Sequence, residues 1–283
     1  MLRQIFAMVA WGWAACAMVA MSCWVVDLPA LLPHSLSTLL PLSINAPSPI
    51  ARVGGTAWQA AAWDCCLFLG LAAQHNIMAR RRVKQAMRRV AGVPYCLERS
   101  VFVLAAGVAL AAVVLLWQPL PLTVWQVPAP WSYALTALAL AGFGIIYSSA
   151  SAIESADLLG LQRAFAGAQE EPARHEGPGL VVKSWYQYVR HPIYLGYLLF
   201  LFSTPHMSAG RLLYASLNLA FVLWSLPLEE GDIAEELGKP YEAYCHAVPA
   251  LIPALRPYTV RHGQGGAEGP SGDAQAKKAD ADS

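Results

Sequence analysis

Six stretches of this chain run with almost no charge, and that grouping constrains the fold more than any other feature. Ile5 to Val26, Ala57 to Ala73, Val101 to Trp117 and Trp131 to Ile153 each fall in the range of roughly 17–25 residues that a helix needs to cross a bilayer core. Two more follow, at Pro192 to Thr204 and Leu212 to Leu228, and the first of these is short enough to predict a tilted or partly interfacial helix. Only 13% of residues are charged and 57% are hydrophobic, against about 25% charged in soluble domains, so the chain cannot cover a water-facing surface. The pattern predicts an all-α, multi-pass transmembrane bundle of about six spans, with a C-terminal cytoplasmic helical segment.

Basic residues set the expected orientation, because loops rich in Lys and Arg stay in the cytoplasm. The second connection carries Arg80, Arg81, Arg82, Lys84, Arg88, Arg89 and Arg99, whereas Gln118 to Pro130 has no charge. That places the second connection, the 154–190 segment and both termini inside, in a cell-membrane protein. Arg211 then falls near the outer side, where a long side chain can snorkel.

The first apolar run follows Arg3, but it is long for a signal-peptide core and no clean small-residue cleavage site follows it, so it reads as a retained span. The six cysteines lack metal-ligand, haem-attachment or C-x-x-C spacing and read as apolar packing residues, so no metal is expected. A net charge of +1 supports no nucleic-acid partner; the basic loop suits topology and anionic lipid. No internal repeat favours a transporter of inverted halves. The expected organisation is a first span with a Pro-rich outer loop over 1–56, a transmembrane domain over 57–257, and a disordered polar tail over 258–283. A cytoplasmic loop is expected over 157–183.

Chemistry concentrates near the C-terminus. Arg190, His191 and Pro192 open the fifth span, and proline favours the first helical position because its missing N–H had no partner to lose. The free N–H groups there, with Arg190 and His191, suit a carboxylate or phosphate; the alternative is an interfacial anchor on lipid headgroups. Glu229 and Glu230 close the sixth span, either as a solvated helix end or as a cation site. An antiparallel hairpin with about 27 Å in each arm returns them to the level of His191. A zwitterionic, cationic ligand would fit the two sets together. Tyr241 and Tyr244, one helical turn apart, either wall that pocket or join the interfacial aromatic belt.

Arg190-His191-Pro192-x-Tyr194-x-Gly196, Glu229-Glu230, Gly238-x-x-Tyr241-x-x-Tyr244 and Val248-Pro249 together resemble the signature of the isoprenylcysteine carboxyl methyltransferase superfamily. Gln74 to Arg80, Glu98-Arg99-Ser100, Trp117-Gln118-Pro119, Leu159-Gly160-Leu161 and Thr204-Pro205-x-Met207 are similar to its methanethiol S-methyltransferase branch. The likeness covers roughly residues 57 to 257. Two positions depart from the superfamily pattern. Ser225 stands where the isoprenylcysteine enzymes have a substrate-engaging arginine, which disfavours a prenylcysteine acceptor. Val182-Lys183-Ser184 replaces a Thr-Pro-Gly or Thr-Ser-Gly turn.

The resemblance implies a membrane enzyme that transfers a methyl group from S-adenosylmethionine to a small thiol, most simply methanethiol to dimethyl sulfide. By motif position, Arg190, His191, Pro192, Tyr194, Glu229 and Glu230 are the expected cofactor contacts, joined by Tyr186, Tyr241 and Tyr244 within 184–246. His75 is a candidate acceptor of the thiol proton, since histidine titrates near neutrality, or else a structural histidine. Arg99 is a candidate for stabilising a thiolate, with Glu98 or a lipid phosphate as its alternative partner. Competing readings are another acceptor (a different thiol, hydrogen sulfide, an isoprenoid or lipid group), or a non-catalytic membrane protein like the denitrification-associated relatives.

Overall fold

A computed structural model describes residues 1–28, 42–48, 50, 54–153, 161–166, 180 and 182–258. Most of the Pro-rich outer loop, most of the 157–183 loop and the tail from 259 lie outside the described residues. The helices are α1 (Leu2–Val25), α2 (Ala57–Ala79), α3 (Arg81–Arg89), α4 (Tyr95–Leu116), α5 (Trp131–Ala152), α6 (Leu161–Ala166), α7 (Pro192–Phe202), α8 (Ala209–Leu237) and α9 (Lys239–Ala247). Two short strands, β1 (Thr123–Gln126) and β2 (His206–Ser208), pair antiparallel.

All six apolar runs are helical, but they are not equal. Among the described residues α1, α4, α5 and α8 are long and apolar enough to cross a membrane. At 23 residues α2 has the length, yet it carries Gln59, Asp64, Gln74, His75 and Asn76. At 11 residues α7 rises only about 16 Å and cannot cross alone. It stops at Ser203, and the chain continues through 203–208, where extended backbone covers up to about 20 Å in six residues. Helix plus extended segment therefore match the roughly 30 Å that α8 climbs between Ala209 and Glu229, so the hairpin closes with unequal arms.

The arms are not each other's main partners. α7 packs chiefly on α5, α1 and α2 pack on α4, and α8 makes lighter contacts with α2 and α7. Gly142 of α5 and Gly196 of α7 let the two backbones touch: a Cβ on either glycine would lie 2.5 Å from the other's carbonyl oxygen. Small residues at a crossing are the usual means of close helix approach in a membrane, where the lipid offers no hydrophobic drive to helix pairing. Gly196 thus has a packing role within the motif.

Toward the β1–β2 end, the core centres on Trp24, Trp117 and Tyr214, mutually edge-on with centroids 5.4–5.6 Å apart. Such T-shaped sets bury large apolar area with favourable quadrupole geometry. Asp64, fully buried on α2, accepts the Gln118 N–H at 2.8 Å and so holds the chain as it leaves α4. The outward faces carry apolar residues, among them Trp58, Trp131 and Tyr147, as a lipid-facing surface requires.

α8 corrects one sequence expectation. It runs 29 residues straight through Pro227, so Glu229 and Glu230 lie within the helix, not at its carbonyl end. Proline forfeits one backbone hydrogen bond there. The extension beyond it is held by tertiary contacts: Asp232 pairs with Arg80 at 3.6 Å and Glu236 with Arg81 at 3.8 Å, while Ile233, Ala234 and Leu237 pack on Tyr241, Tyr244 and Val248. The helix ends at Gly238, whose φ of 63° favours glycine. The same ion pairs put the basic connection and the glutamates on one side of the molecule.

Candidate functional site

The site is built where the entry to α7 meets the last third of α8. Pro192 takes the first position of α7, as the sequence predicts, and His191 stands just before it with its side chain turned to Glu230 and not to the helix N–H groups. Arg190 Nε donates to Glu230 Oε1 at 2.7 Å and Nη2 to Oε2 at 3.1 Å, a bidentate pair. His191 Nε2 lies 2.9 Å from the same Oε1. The Tyr194 hydroxyl donates to Glu229 Oε1, and its ring stacks on His191 with a 14° interplanar angle. All five motif residues therefore converge, across 35–40 residues of sequence.

Their arrangement differs from separate anion and cation sites. Arg190 is spent on structure: besides Glu230, its Nη1 donates to the carbonyls of Cys245 (2.9 Å) and Val248. The N–H groups of Arg190 and His191 are also taken, by Pro249 O at 2.9 Å and Ala250 O at 3.0 Å. Burial works against the Arg190 charge, but hydrogen bonding and attraction from Glu230 outweigh it and raise the guanidinium's pKa. Glu229 is different: among the described residues it takes the Tyr194 phenol and forms no ion pair.

A second layer stands behind. Tyr241 and Tyr244 are buried with Val182, Leu237 and Val248, so they are not an interfacial belt. The Tyr244 hydroxyl donates to Tyr186 O at 2.6 Å, tying α9 to the segment that leads into α7. Burial pushes the Tyr186 phenol up to about 12, and it raises those of Tyr241 and Tyr244 as well. Farther along, Ala254 N donates to Tyr188 O and Tyr258 N to Gln187 O, both at 2.8 Å, so the chain after α9 is laced along residues 187–191.

Ser184 begins the turn that leads to Arg190, with φ 55°. It holds the third position of the altered Val182-Lys183-Ser184 turn, where the superfamily pattern has glycine. The left-handed backbone is kept without the glycine, at a cost of about 1 kcal/mol. Ser225, at the second departure, is buried against Val222 O at 3.4 Å.

His75 and Arg99 approach the cluster from the other helices. The His75 ring packs edge-on to Phe102 (5.3 Å) and Phe221 (6.0 Å), within electrostatic reach of Glu229 and Arg99. The Arg99 guanidinium lies 4.9 Å over the Phe102 ring, a cation–π contact, while Glu98 pairs with Arg88 at 3.0 Å. Sequence reasoning missed Phe102 and Phe221, which are ordinary core letters in apolar runs, and the carbonyls of residues 245–250. Val248-Pro249 was visible as a motif, but a backbone acceptor leaves no mark in residue type.

Fold and site define a multi-pass helical membrane protein with a charged, aromatic-backed cluster where the entry to α7 meets α8. Comparison with known proteins gives that class a family. The methanethiol S-methyltransferase of Pseudomonas deceptionensis is 36% identical over 216 residues, covering 76% of this chain and 81% of that one. Its counterpart from Pseudomonas sp. (strain GM41(2012)) is 35% identical over 212 residues, 74% of this chain and 80% of that one. Nurim of Xenopus laevis is 30% identical over 168 residues, 54% of this chain and 57% of its own. No family model and no solved structure matches. The chain belongs to the methanethiol S-methyltransferase family.

Proposed function

We propose that the protein methylates methanethiol to dimethyl sulfide with S-adenosylmethionine as donor, at the Arg190–Glu230 cluster on the cytoplasmic side of the cell membrane. The carrying observation is the similarity to methanethiol S-methyltransferases over about three quarters of the chain, whose motif residues converge in space. S-adenosylmethionine supplies a methyl group on a cationic sulfur, which the acceptor thiolate displaces to leave the neutral thioether. The carboxylate of Glu229, steadied by Tyr194, suits such a cation. Glu230 holds Arg190 and His191 in place, and Arg190 fixes the 245–250 segment as one wall.

The acceptor side is proposed to lie between His75, Phe102 and Phe221, next to Glu229. Aromatic rings suit a methylated sulfur and exclude water, which strengthens a buried thiolate as nucleophile. His75 is placed to take the thiol proton, and Arg99, across Phe102, adds positive potential for the thiolate. Tyr186, Tyr241 and Tyr244 back the site as packing and hydrogen-bonding supports.

The test is direct. Membranes containing the protein, supplied with S-adenosylmethionine and methanethiol, should release dimethyl sulfide into the head space, and His191→Ala membranes should not. Equal release from both would reject the reading; methylation of hydrogen sulfide or a prenylcysteine in preference to methanethiol would reject the acceptor.

A further inference from the structure

At the end of α8 opposite the charged cluster, a cavity of about 520 Å³ opens between α1, α5 and the end of α7. That volume is typical of a small-molecule site, roughly 300–1,000 Å³. Its wall is mostly apolar, from Ala139, Leu140, Phe143 and Phe200, with Asp27 and Arg211 at one end. Leu140 is 66% exposed and Phe143 45%, so the mouth faces outward on the lipid side of α5.

Arg211 does not snorkel as its sequence position suggests. It is 7% exposed; among the described residues its Nη1 reaches the His206 carbonyl at 3.4 Å and its Nε has no hydrogen-bond partner. Among the described residues no carboxylate forms an ion pair with it. Asp27 is near enough to act on it electrostatically, but its carboxylate takes the Asn45 amide at 2.8 Å instead. His206, the other titratable group lining the cavity, lies 3.4 Å from the Thr123 hydroxyl. A buried guanidinium with an empty donor is costly unless something else satisfies it. The cavity thus offers one cation and one anion, unpaired with each other, at the membrane-boundary end of an apolar slot.

We propose that this cavity binds one zwitterionic phospholipid of the ethanolamine class. Its phosphate accepts from Arg211, its ammonium lies by Asp27, and an acyl chain follows Leu140 and Phe143. Charge complementarity selects the occupant: an anionic lipid would satisfy Arg211 but would meet Asp27 without a counter-charge. The site is separate from the methyl-transfer cluster, since Arg211 and Glu230 are about 28 Å apart along α8.

Native mass spectrometry of the full-length protein in mild detergent tests the assignment with three probes: phosphatidylethanolamine, phosphatidylglycerol and inorganic phosphate. Phosphatidylethanolamine should be retained at least about tenfold better than phosphatidylglycerol, a difference of one charge contact. Arg211→Gln should lose the adduct, and Asp27→Asn should erase the preference between the two lipids. Leu140→Trp, at an exposed position, fills the mouth while keeping both charges and should also lose the adduct, which guards against misfolding of the charge variants. Equal retention of the two lipids, an adduct that survives Leu140→Trp, or phosphate bound in place of lipid would each overturn the proposal.

Discussion

The two ends of α8 treat buried charge in opposite ways. Near Glu230, Arg190 and His191 share a carboxylate and the guanidinium's Nη1 is taken by backbone carbonyls, while Glu229 receives the Tyr194 phenol and forms no ion pair among the described residues. Near Arg211, the cation and Asp27 line the same cavity without pairing, and among the described residues the guanidinium Nε has no acceptor. Paired charge at one end ties three segments of the chain together, whereas at the other end a buried cation forms no ion pair among the described residues. The contrast also separates roles within the motif, since Arg190, the residue most suggestive of anion binding by type, is the one most completely consumed by the fold.

The strongest way to break this contrast is to unpair the scaffold. Glu230→Gln strips the counter-charge from the largely buried Arg190 guanidinium and breaks its bidentate pair, a loss of about 3 kcal/mol, and methyl transfer should fall roughly 100-fold. Head-space dimethyl sulfide per mole of folded protein reads it; an unchanged rate would mean the bidentate pair is ornamental. Tyr194→Phe removes only the phenol that steadies Glu229, a charged hydrogen bond of about 1.5–3 kcal/mol, and should lower the rate about tenfold without unfolding the protein.

The aromatic layer gives a subtler handle. Because burial lifts the Tyr186 phenol from 10 to about 12, its folded pKa exceeds its unfolded one, and the neutral form favours the folded state. Its contribution to stability is complete below pH 10 and is lost as pH rises toward 12. Thermal unfolding followed against pH should show that alkaline loss diminished in Tyr186→Phe. The smallest effect is a gain: Ser184→Gly relieves a left-handed serine and should raise stability by about 1 kcal/mol, seen as a higher midpoint of thermal unfolding.

Much of the fold was legible because lipid demands long apolar helices, and the start of α7 was legible because Pro192 and His191 have positional chemistry. The length of α8 was not. The apolar run ends at Leu228, and the contacts that accompany the helix past it, the distant pair of Arg80 with Asp232 and the packing of Ile233 and Ala234 on Tyr241 of the next helix, leave no periodic apolar mark. The β1–β2 pair joins segments about 80 residues apart, and its short strands have no alternating pattern to read. At the site, the hairpin set His191 opposite the glutamates, though extended chain and not a second full-length helix completes the first arm, and it could not show which charges would pair. That depended on the backbone of residues 245–250, where side-chain type carries no information.

The central claim is that the paired end of α8 is where the methyl donor binds. Isothermal titration of the purified full-length protein with S-adenosylhomocysteine, the demethylated product, tests it most directly, alongside Glu230→Gln and Arg211→Gln. Saturable binding below millimolar concentration is expected in the unaltered protein and in Arg211→Gln, and its loss in Glu230→Gln. Absence of binding in the unaltered protein, or equal binding in Glu230→Gln, would contradict it.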